Sequence, residues 1–433
     1  LYAALLPTNP KVGVEIMAKV GNSYKKRLKV SNRVAMFPKL LEEIERNRSE
    51  MAKRKRWDRF TKEWQDHVCE ASRKNFGGTE AQWKVWCKEI LVPYADRFWE
   101  PGCDAPQIKN FKADVVPKPG ARPAARRPFR LNEYDEARLE NRLDEFLESG
   151  QLYDVAPEDA GEWASPAFIV DKVGDILGRV VTDYEGPNRE TEDHPGVPAD
   201  ADEVLRKGAH KPFHTVMDMV WGFSQSELTE RAQRILTIVT KQGLKRWKNL
   251  PFGPKQGPGI CQSFNEWTFG DLESTSVFVD DFHTASYTFE DHVKDVKALL
   301  ERGRLHGVEW RLSKCHWCQS EVALVGFEIS ADGRRPDPVK VEALHNWPEE
   351  KELADLNSMF HFANYLRDFI PGFVELVEPL KPYRKKGAKW EDYLKDKKAQ
   401  LAAEKLRNAV ATCTPLVNPD YEAARDYVAS GRP

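Results

Sequence analysis

The stretch S-V-F-V-D-D, residues Ser276–Asp281, places two adjacent acids at the tip of an apolar segment. The apolar residues predict a strand over Ser274–Phe282, with Asp280 and Asp281 at its end. Two neighbouring carboxylates beside a buried strand repel each other and lose hydration. A solvated turn is the ordinary interpretation of an isolated Asp-Asp pair, whereas a divalent cation with oxygen ligands would relieve the repulsion of a buried one.

A third acid closes another apolar stretch. Residues 213–223 read F-H-T-V-M-D-M-V-W-G-F, and a strand over Pro212–Met219 would carry Asp218 near its end. If this strand pairs antiparallel with the first, Asp218 lies beside Asp280. Three carboxylates grouped in this way can hold two Mg²⁺ ions about 4 Å apart, the arrangement that supports nucleotidyl transfer.

The remaining segments mix strands and helices without strict alternation, which predicts an α+β fold. Residues 115–130 are rich in Pro and Arg and should form an extended connector. Asn132 is a good N-cap for a helix that ends near Gly150. Further elements are expected at Pro166–Asp171 and Gly178–Tyr184 (a hairpin around Gly174), Gly259–Phe269, Asp291–Arg304, Leu324–Ser330, Val339–Trp347, Glu352–Phe369 and Leu394–Cys413.

Fragments along residues 108–433 resemble, in the family's order, the polymerase of gypsy-type LTR retrotransposons. Those fragments are A-R-R-P-F-R-L (125–131), W-A-S-P-A-F-I-V-D-K-V-G-D (163–175), G-R-V-V-T-D-Y (178–184), M-D-M-V-W-G-F-S-Q (217–225), L-P-F-G-P-K-Q-G-P-G-I-C-Q-S-F-N (250–265), F-V-D-D (278–281), L-S-K-C-H-W (312–317), V-G-F-E-I-S (325–330), A-D-G-R-R-P-D-P-V-K-V-E-A-L-H-N-W-P (331–348) and N-Y-L-R-D-F-I-P-G-F (364–373).

The resemblance implies a reverse transcriptase with a right-hand polymerase fold: fingers, a palm with an antiparallel sheet, and a helical thumb. The expected division is a mostly helical extension of unknown role over residues 1–104, fingers and palm over 105–330, a thumb-like region over 331–412, and the start of a connection or RNase H-like region over 413–433. Such an enzyme is an RNA-directed DNA polymerase.

The resemblance also implies roles for single residues. Asp218, Asp280 and Asp281 match the ligands of two Mg²⁺ ions, for which Mn²⁺ can substitute. Lys172 and Arg179 match cations of the fingers that grip the incoming triphosphate, although two solvated strand charges are the simpler interpretation without that context.

Three further residues match the surroundings of the nucleotide. Phe223 matches the aromatic ring beneath the sugar that excludes a 2′-hydroxyl, although an ordinary core aromatic fits as well. Gln262 matches a glutamine that supports the template side, and Lys314 matches a lysine near the pyrophosphate.

Several positions depart from the family pattern, which leaves two alternatives open. The departures are Asp171, Glu185, Pro254, Gln256, Gly259 and Phe278 in place of the usual Tyr. One alternative is a decayed or co-opted module that binds nucleic acid without catalysis. The other, RNA-directed RNA synthesis, is disfavoured by Val279 before the acid pair and by Phe223.

Composition and charge add little to the choice. The chain has 433 residues and a net charge of −2, and the seven cysteines are an odd number that predicts free thiols and a reducing compartment. The Cys315-x-x-Cys318 pair reads as a packed β-turn with two ordinary thiols more readily than as a metal site. Four tryptophans of the extension, Trp57, Trp64, Trp83 and Trp86, are expected to pack between helices rather than stack on bases.

The expected partners follow from the resemblance. They are an RNA template, a DNA or RNA primer and deoxynucleoside triphosphates, with a second copy or other polyprotein domains (RNase H, integrase) as further associations. No apolar run is long enough to span a bilayer and no signal peptide opens the chain, so no membrane partner is expected. The resemblance implies an intracellular location, in a cytoplasmic virus-like particle, the nucleus or both. Because Leu1 is not a methionine, the chain is expected to be a piece of a longer reading frame.

Overall fold

A computed structural model describes residues 24–196, 201–208, 210–348 and 350–410. The helices are α1 (Tyr24–Lys53), α2 (Lys62–Arg73), α3 (Glu80–Trp86), α4 (Glu133–Glu148), α5 (Glu185–Glu190), α6 (Ala201–Lys207), α7 (Glu230–Ile235), α8 (Gly257–Phe269), α9 (Phe289–His306), α10 (Pro338–His345), α11 (Leu353–Tyr365), α12 (Phe373–Val377), α13 (Trp390–Tyr393) and α14 (Lys397–Val410).

The strands are short and scattered along the chain. They are β1 (Phe98–Trp99), β2 (Lys112–Ala113), β3 (Leu152–Asp154), β4 (Ser165–Lys172), β5 (Asp175–Thr182), β6 (Phe213–Asp218), β7 (Glu227–Leu228), β8 (Ile238–Thr240), β9 (Gly243–Trp247), β10 (Thr275–Phe278), β11 (Asp281–Ser286), β12 (Trp310–Arg311), β13 (His316–Gln319), β14 (Glu321–Leu324), β15 (Phe327–Ser330) and β16 (Gly333–Pro336).

The four-stranded sheet β10-β11-β6-β13, here called the central sheet, is antiparallel throughout. Its strand β6 confirms the apolar strand expected before Asp218. The strand expected over Ser274–Phe282 is shorter than predicted, because β10 ends at Phe278 and Phe282 lies on β11. Phe282 of β11 is fully buried, and its ring meets those of Phe269 and Trp310 edge-on. The sheet therefore has one face packed in the apolar core. The acids lie at the ends of its two inner strands.

Residues 24–104, here called the N-terminal segment, pack into the same core as the central sheet. Trp64 and Trp86 are fully buried, and the Trp86 ring lies 5.8 Å from that of Trp317 next to the central strand β6. The expectation that these tryptophans pack is confirmed, although they pack on the sheet side as well as between helices. Residues 24–207 and 213–319 form one compact unit of the described chain.

A five-stranded sheet, in the order β3-β9-β8-β4-β5, belongs to the same unit. Its β4–β5 hairpin confirms the expected pair of strands, and Gly174 adopts φ +77° in the turn, where glycine is favoured. Helix α4 begins as expected, because the Asn132 side chain accepts a hydrogen bond from the Asp135 N–H at 2.9 Å. The connector over 115–130 is extended, as expected, and is held by bridges from Pro117 to Thr191 and from Ala125 to Ala164.

The second unit comprises, among the described residues, 208, 210–212 and 320–410. It contains the sheet β14-β15-β16 and the helices α10–α14. The single strand expected over Leu324–Ser330 is wrong: Val325 and Gly326 adopt φ +49° and +76° and turn the chain into a hairpin. Two positive φ values in succession match a two-residue hairpin turn, but a β-branched residue such as Val325 gives no sign of one.

The later helices follow the expected order with different ends. Helix α11 stops at Tyr365 and a 3₁₀ turn covers Arg367–Phe369, while α14 starts at Lys397 rather than Leu394. The expected end of that helix at Cys413, the region over 413–433 and residues 1–23 of the extension lie outside the described residues.

The Cys-x-x-Cys pair does not form a β-turn. Cys318 lies within β13 and Cys315 immediately precedes it, and both are buried. Burial raises the pKa of both thiols, and the described cysteines are free, as expected. The pair is therefore part of the apolar core. In the described part of the chain, no helix has the length and apolar character needed to cross a membrane.

Candidate active site

Asp218 and Asp281 lie opposite each other where the two inner strands of the central sheet, β6 and β11, meet the turn before β11. Asp218 ends β6, Asp281 begins β11, and the two are partners in the register. The Met219 N–H donates to the Asp280 carbonyl at 2.8 Å, beyond the ends of both strands. Since this bond flanks the pair, Asp218 and Asp281 are a non-hydrogen-bonded pair, whose Cα atoms lie about 4.5 Å apart and whose side chains share a face.

The three acids interact electrostatically. Burial, followed by the charges of Asp280 and Asp218, raises the pKa of Asp281 to about 6. Burial and then the Asp218 charge raise the pKa of Asp280, and the Lys314 ammonium opposes both shifts. The site therefore holds more negative charge than its surroundings stabilise, and a cation would relieve it.

Two cations already face Asp218. The Lys314 Nζ donates to Asp218 Oδ1 at 2.7 Å, and the Arg311 Nε lies 4.0 Å from Asp218 Oδ2. Among the described residues, no three His, Cys, Asp or Glu side chains are gathered tightly enough to form a finished metal site. The donors themselves fit a hard divalent ion, since all are carboxylate oxygens. The three expected ligands thus lie at neighbouring strand ends without forming a finished site, and Lys314 bonds an Asp218 oxygen that a metal would use.

The turn between β10 and β11, which carries Asp280, is strained and is held by helix α8. Val279 adopts φ +59°, an unfavourable conformation for a β-branched residue. Its carbonyl accepts hydrogen bonds from Asn265 Nδ2 at 2.8 Å and from Cys261 Sγ at 3.6 Å. Sequence reasoning missed both residues; their i, i+4 spacing, which places them on one helix face, is the signal that was available.

Phe223 lies in a 3₁₀ turn over Gly222–Gln225 that follows the first acid. The turn passes close to the acids, because a Cβ atom on Gly222 would lie 3.3 Å from the Asp280 Cβ. Phe223 is half-buried against an apolar core, and its ring meets that of Phe252 edge-on at 5.3 Å. Its packing role is confirmed, whereas its role as a sugar gate stays a prediction.

Lys172 and Arg179 lie on the β4–β5 hairpin with exposed side chains. The Lys172 Nζ is 3.6 Å from Asp175 Oδ2, and the neighbouring Asp171 accepts from Arg138 Nη1 at 3.0 Å. Among the described residues, no hydrogen bond or ion pair joins Lys172 or Arg179 to the three acids. The structure therefore does not bring these cations into contact with the acids.

Gln262 is buried in the middle of α8. Its Nε2 donates to Glu266 Oε1 at 3.1 Å, while its buried Oε1 has no hydrogen-bond partner within the described part of the chain. A buried acceptor of this kind requires an explanation, and a ligand on the template side is one that the family resemblance offers.

The departures from the family pattern have local structural roles. The buried Gln256 side chain bonds the N–H and the carbonyl of Val116 and also the carbonyl of Glu192, which fixes the connector to the start of α8. A Cβ on Gly259 would lie 2.7 Å from His194 Nδ1, so His194 accounts for the glycine. Glu185 follows the second hairpin strand, because β5 ends at Thr182 and Glu185 begins α5.

The residues of this site lie in a stretch that is similar to known proteins. Residues 179–329 match the family model described as reverse transcriptase (RNA-dependent DNA polymerase). The chain is 26% identical over 311 residues to the retrovirus-related Pol polyprotein from transposon 297 of Drosophila melanogaster, covering 69% of this chain and 28% of that protein. It is 24% identical to the enzymatic polyprotein of Cauliflower mosaic virus (strain D/H), covering 70% and 46%. The chain thus spans less than half the length of either relative.

Solved structures share the fold. The foamy viral protease-reverse transcriptase dRH in complex with ds DNA matches with a TM-score of 0.71 at 19% identity, over 83% of this chain and 62% of that one. The foamy viral protease-reverse transcriptase in complex with RNA/DNA hybrid matches with a TM-score of 0.69 at 19% identity, over 83% and 47%. The chain therefore shares the α+β fold of these reverse transcriptase structures, and the stretch that matches the reverse transcriptase family model includes Asp218, Asp280 and Asp281.

Proposed function

We propose that this chain is an RNA-directed DNA polymerase that adds deoxynucleotides to the 3′ end of a primer. The observation that carries the proposal is the pairing of Asp218 with Asp281 across the central sheet, with Asp280 in the adjoining turn. All three acids lie within the residues that match the reverse transcriptase family. The half-buried carboxylates of Asp280 and Asp281, with raised pKa values, support a site built for cations.

The proposed cofactor is a pair of Mg²⁺ ions, with Mn²⁺ as a substitute, held by Asp218, Asp280 and Asp281. Such ions lower the barrier by activating the primer hydroxyl and stabilising the departing pyrophosphate. Lys314 would give up its bond to Asp218 as the site fills. An ammonium binds phosphate oxygens as readily as it binds a carboxylate. The released Lys314 is therefore suited to bind the pyrophosphate.

The proposed partners are an RNA template, a DNA or RNA primer and deoxynucleoside triphosphates. Two of the similar structures are complexes with ds DNA and with RNA/DNA hybrid, which supports a nucleic-acid partner here. The exposed side chains of Lys172 and Arg179 are available to triphosphate oxygens. Phe223 is proposed as the sugar gate, and the unpaired Gln262 Oε1 as a contact on the template side.

The type of retrotransposon and the division of the chain into polymerase subdomains are proposed as follows. The order of the motifs supports a gypsy-type LTR element, and the matches to Pol polyproteins, of which the chain covers less than a third, support association with further polyprotein domains. RNase H, integrase and a second copy are the proposed associates. Residues 105–330 would form the fingers and palm, 331–412 the thumb, and 413–433 the start of a connection, after the extension over 1–104. An intracellular site of action, in a virus-like particle or the nucleus, completes the proposal.

The test is primer extension on poly(rA)–oligo(dT) with Mg²⁺. The unmodified chain should extend the primer, and Asp280→Asn should lose at least about a hundredfold of that activity. Primer–template binding should persist in Asp280→Asn and fall steeply with salt, because phosphate contacts dominate it. Asp271→Asn, which changes a surface acid paired with Arg302, is the matched control and should extend normally.

A second candidate is a module that binds nucleic acid without catalysis. It is favoured by the Lys314 ammonium on Asp218 and by the lack of a finished three-ligand site among the described residues. The same assay separates the two candidates. Salt-sensitive binding of primer–template by the unmodified chain, without extension at any Mg²⁺ or Mn²⁺ concentration, would establish the binding module.

A further inference from the structure

The N-terminal segment reaches the reaction centre through a short strand. In β1, Phe98 and Trp99 pair in parallel with Trp310 and Arg311 of β12. On the other side of β12, Trp310 bridges to Met219, the residue after the first acid. Only β12 therefore separates the N-terminal segment from the end of β6, and Trp99 is in register with Arg311.

Trp99 is a fixed aromatic platform. It is 6% exposed, its Nε1 donates to the Asp104 carbonyl at 3.0 Å, and its ring lies 4.9 Å from that of Trp221. The Arg311 guanidinium carbon lies 5.2 Å from the centre of the Trp99 ring. This distance is within the range of a cation–π interaction, which is strongest for tryptophan.

The strand β12, which carries Arg311, is also anchored through Glu309, the residue that precedes it. Glu309 forms a buried ion pair with Arg59 at 2.5 Å, and its carbonyl accepts from Val220 N–H at 3.1 Å and from Gln225 Nε2 at 2.8 Å. A second residue of the N-terminal segment thus holds the strand beside the acids. The Arg311 backbone cannot move away from Asp218 without breaking these contacts.

The Arg311 side chain nevertheless forms no short hydrogen bond with Asp218. Its Nε is buried and has no hydrogen-bond partner among the described residues, although it lies 4.0 Å from Asp218 Oδ2. A buried guanidinium donor next to a carboxylate normally closes to a short, two-pronged pair. Something restrains this one, and the aromatic face of Trp99 is the contact in place to do so.

We propose that Trp99 is a positioning residue that keeps Arg311 from closing on Asp218. The ring holds the guanidinium at a distance, so that one oxygen of Asp218 stays open to a cation. Without the ring, Arg311 would form a short ion pair with Asp218 and compete with the cation for that carboxylate. This inference rests on the proposed function, and it assigns a role to part of the N-terminal segment.

The experiment measures Mn²⁺ binding to the chain without primer or nucleotide, from the electron paramagnetic resonance signal of free Mn²⁺. Trp99→Leu should weaken binding by about threefold to tenfold, as expected for a competing charge-assisted pair. Trp99→Phe keeps an aromatic face and should bind nearly as the unmodified chain does. In Trp99→Leu/Arg311→Gln the competitor is gone, so binding should return.

Trp83→Leu is the matched control, because Arg73 lies 5.1 Å from the Trp83 ring in a cation–π pair on the surface of the same segment. Equal binding by Trp99→Leu and Trp83→Leu would overturn the proposal. If Trp99→Leu does not fold, Arg311→Gln decides: binding as tight as in the unmodified chain, or tighter, supports the proposal, and weaker binding overturns it.

Asp280→Asn separates this inference from the proposed function. If the unmodified chain binds Mn²⁺ and Asp280→Asn does not, the cation site stands whatever the tryptophan variants show. If Asp280→Asn binds Mn²⁺ as the unmodified chain does, the proposed cation site fails, and this inference fails with it. In primer extension, Trp99→Leu should need about threefold to tenfold more Mg²⁺ for half-maximal rate while its maximal rate is retained.

Discussion

Asp218 and Asp281 face each other as a non-hydrogen-bonded pair at the open end of β6 and β11, beside the backbone bond from Met219 to Asp280. In such a pair the side chains approach more closely than elsewhere in an antiparallel ladder. Two like charges at this spacing oppose each other, and the strained turn at Val279 keeps Asp280 beside them. The fold therefore maintains a concentration of negative charge that stability alone would not favour.

This repulsion predicts an unusual dependence of stability on pH. An unfolded Asp titrates near 3.9, whereas the pKa of Asp281 in the fold is raised to about 6. Between these values the folded chain binds more protons than the unfolded chain, so its stability falls as the pH rises. The contribution of Asp281 to the free energy of unfolding should drop by up to about 3 kcal/mol from pH 4 to pH 7.

Urea unfolding in EDTA, compared between the unmodified chain and Asp281→Asn, measures that contribution together with its coupling to Asp218 and Asp280, since groups that do not interact with Asp281 cancel in the difference. The unmodified chain should lose stability relative to Asp281→Asn as the pH rises. Saturating Mg²⁺ should reduce the loss, because an ion bound to the carboxylate stabilises its charged form. Differences that are independent of pH would contradict a raised pKa at Asp281.

Phe223 is predicted to select deoxynucleotides. It follows Asp218 by five residues, in a turn that passes within contact distance of Asp280. Phe223→Val should open space for a 2′-hydroxyl and raise the ratio of ribonucleotide to deoxynucleotide kcat/KM by about tenfold or more. Both substrates are measured on one primer–template.

A ring that only packs the core would give another result. Phe146 is the control, because it is half-buried against the same core and contacts Trp247 edge-on at 5.0 Å. Phe146→Val should lower stability and leave the substrate ratio unchanged. If Phe223→Val behaves in the same way while folded, it is not a gate.

Asn265 is predicted to stabilise the turn that carries Asp280. Asn265→Ala removes the 2.8 Å bond to the Val279 carbonyl, so the free energy of unfolding should fall by about 1–3 kcal/mol. Primer extension should also slow by about tenfold, because Asp280 is less well fixed. Glycine adopts positive φ without strain, so in a Val279→Gly background the same change should cost less. If the losses of unfolding free energy caused by Asn265→Ala and Val279→Gly were simply additive, Asn265 would not stabilise the turn.

The central sheet and the acids were predictable because apolar strands ending in acids have a local signature. The contacts that organise the site were not, because they join distant parts of the chain. Trp99 and Arg311 are more than two hundred positions apart, and nothing near either residue indicates the other. The burial of Trp86 could be anticipated from its type, but its contact with Trp317 depends on the tertiary fold. Val325 was missed because β-branched residues rarely adopt positive φ.

The final prediction concerns Gly259, which departs from the Ala or Thr usual in the family. An alanine Cβ there would lie 2.7 Å from His194 Nδ1 and 2.9 Å from His194 Cβ, so rotating the ring cannot relieve the clash. Gly259→Ala should therefore lower the free energy of unfolding by about 1–3 kcal/mol, although alanine favours a helix interior.

The rescue is His194→Gly, which removes both atoms that the new methyl group would meet. Each single change should destabilise the chain, but the double variant should be more stable than their sum predicts, by about 1–2 kcal/mol. Gly161→Ala, in a loop, is the control, because its new Cβ would meet only the Arg246 side chain among the described residues, at an ordinary contact distance of 3.5 Å, and it should be neutral or slightly stabilising. Chemical denaturation of the four variants of the cycle measures the coupling. An uncoupled pair would mean that His194 moves aside freely, and the glycine would then have another cause than the close approach of residues 194–196.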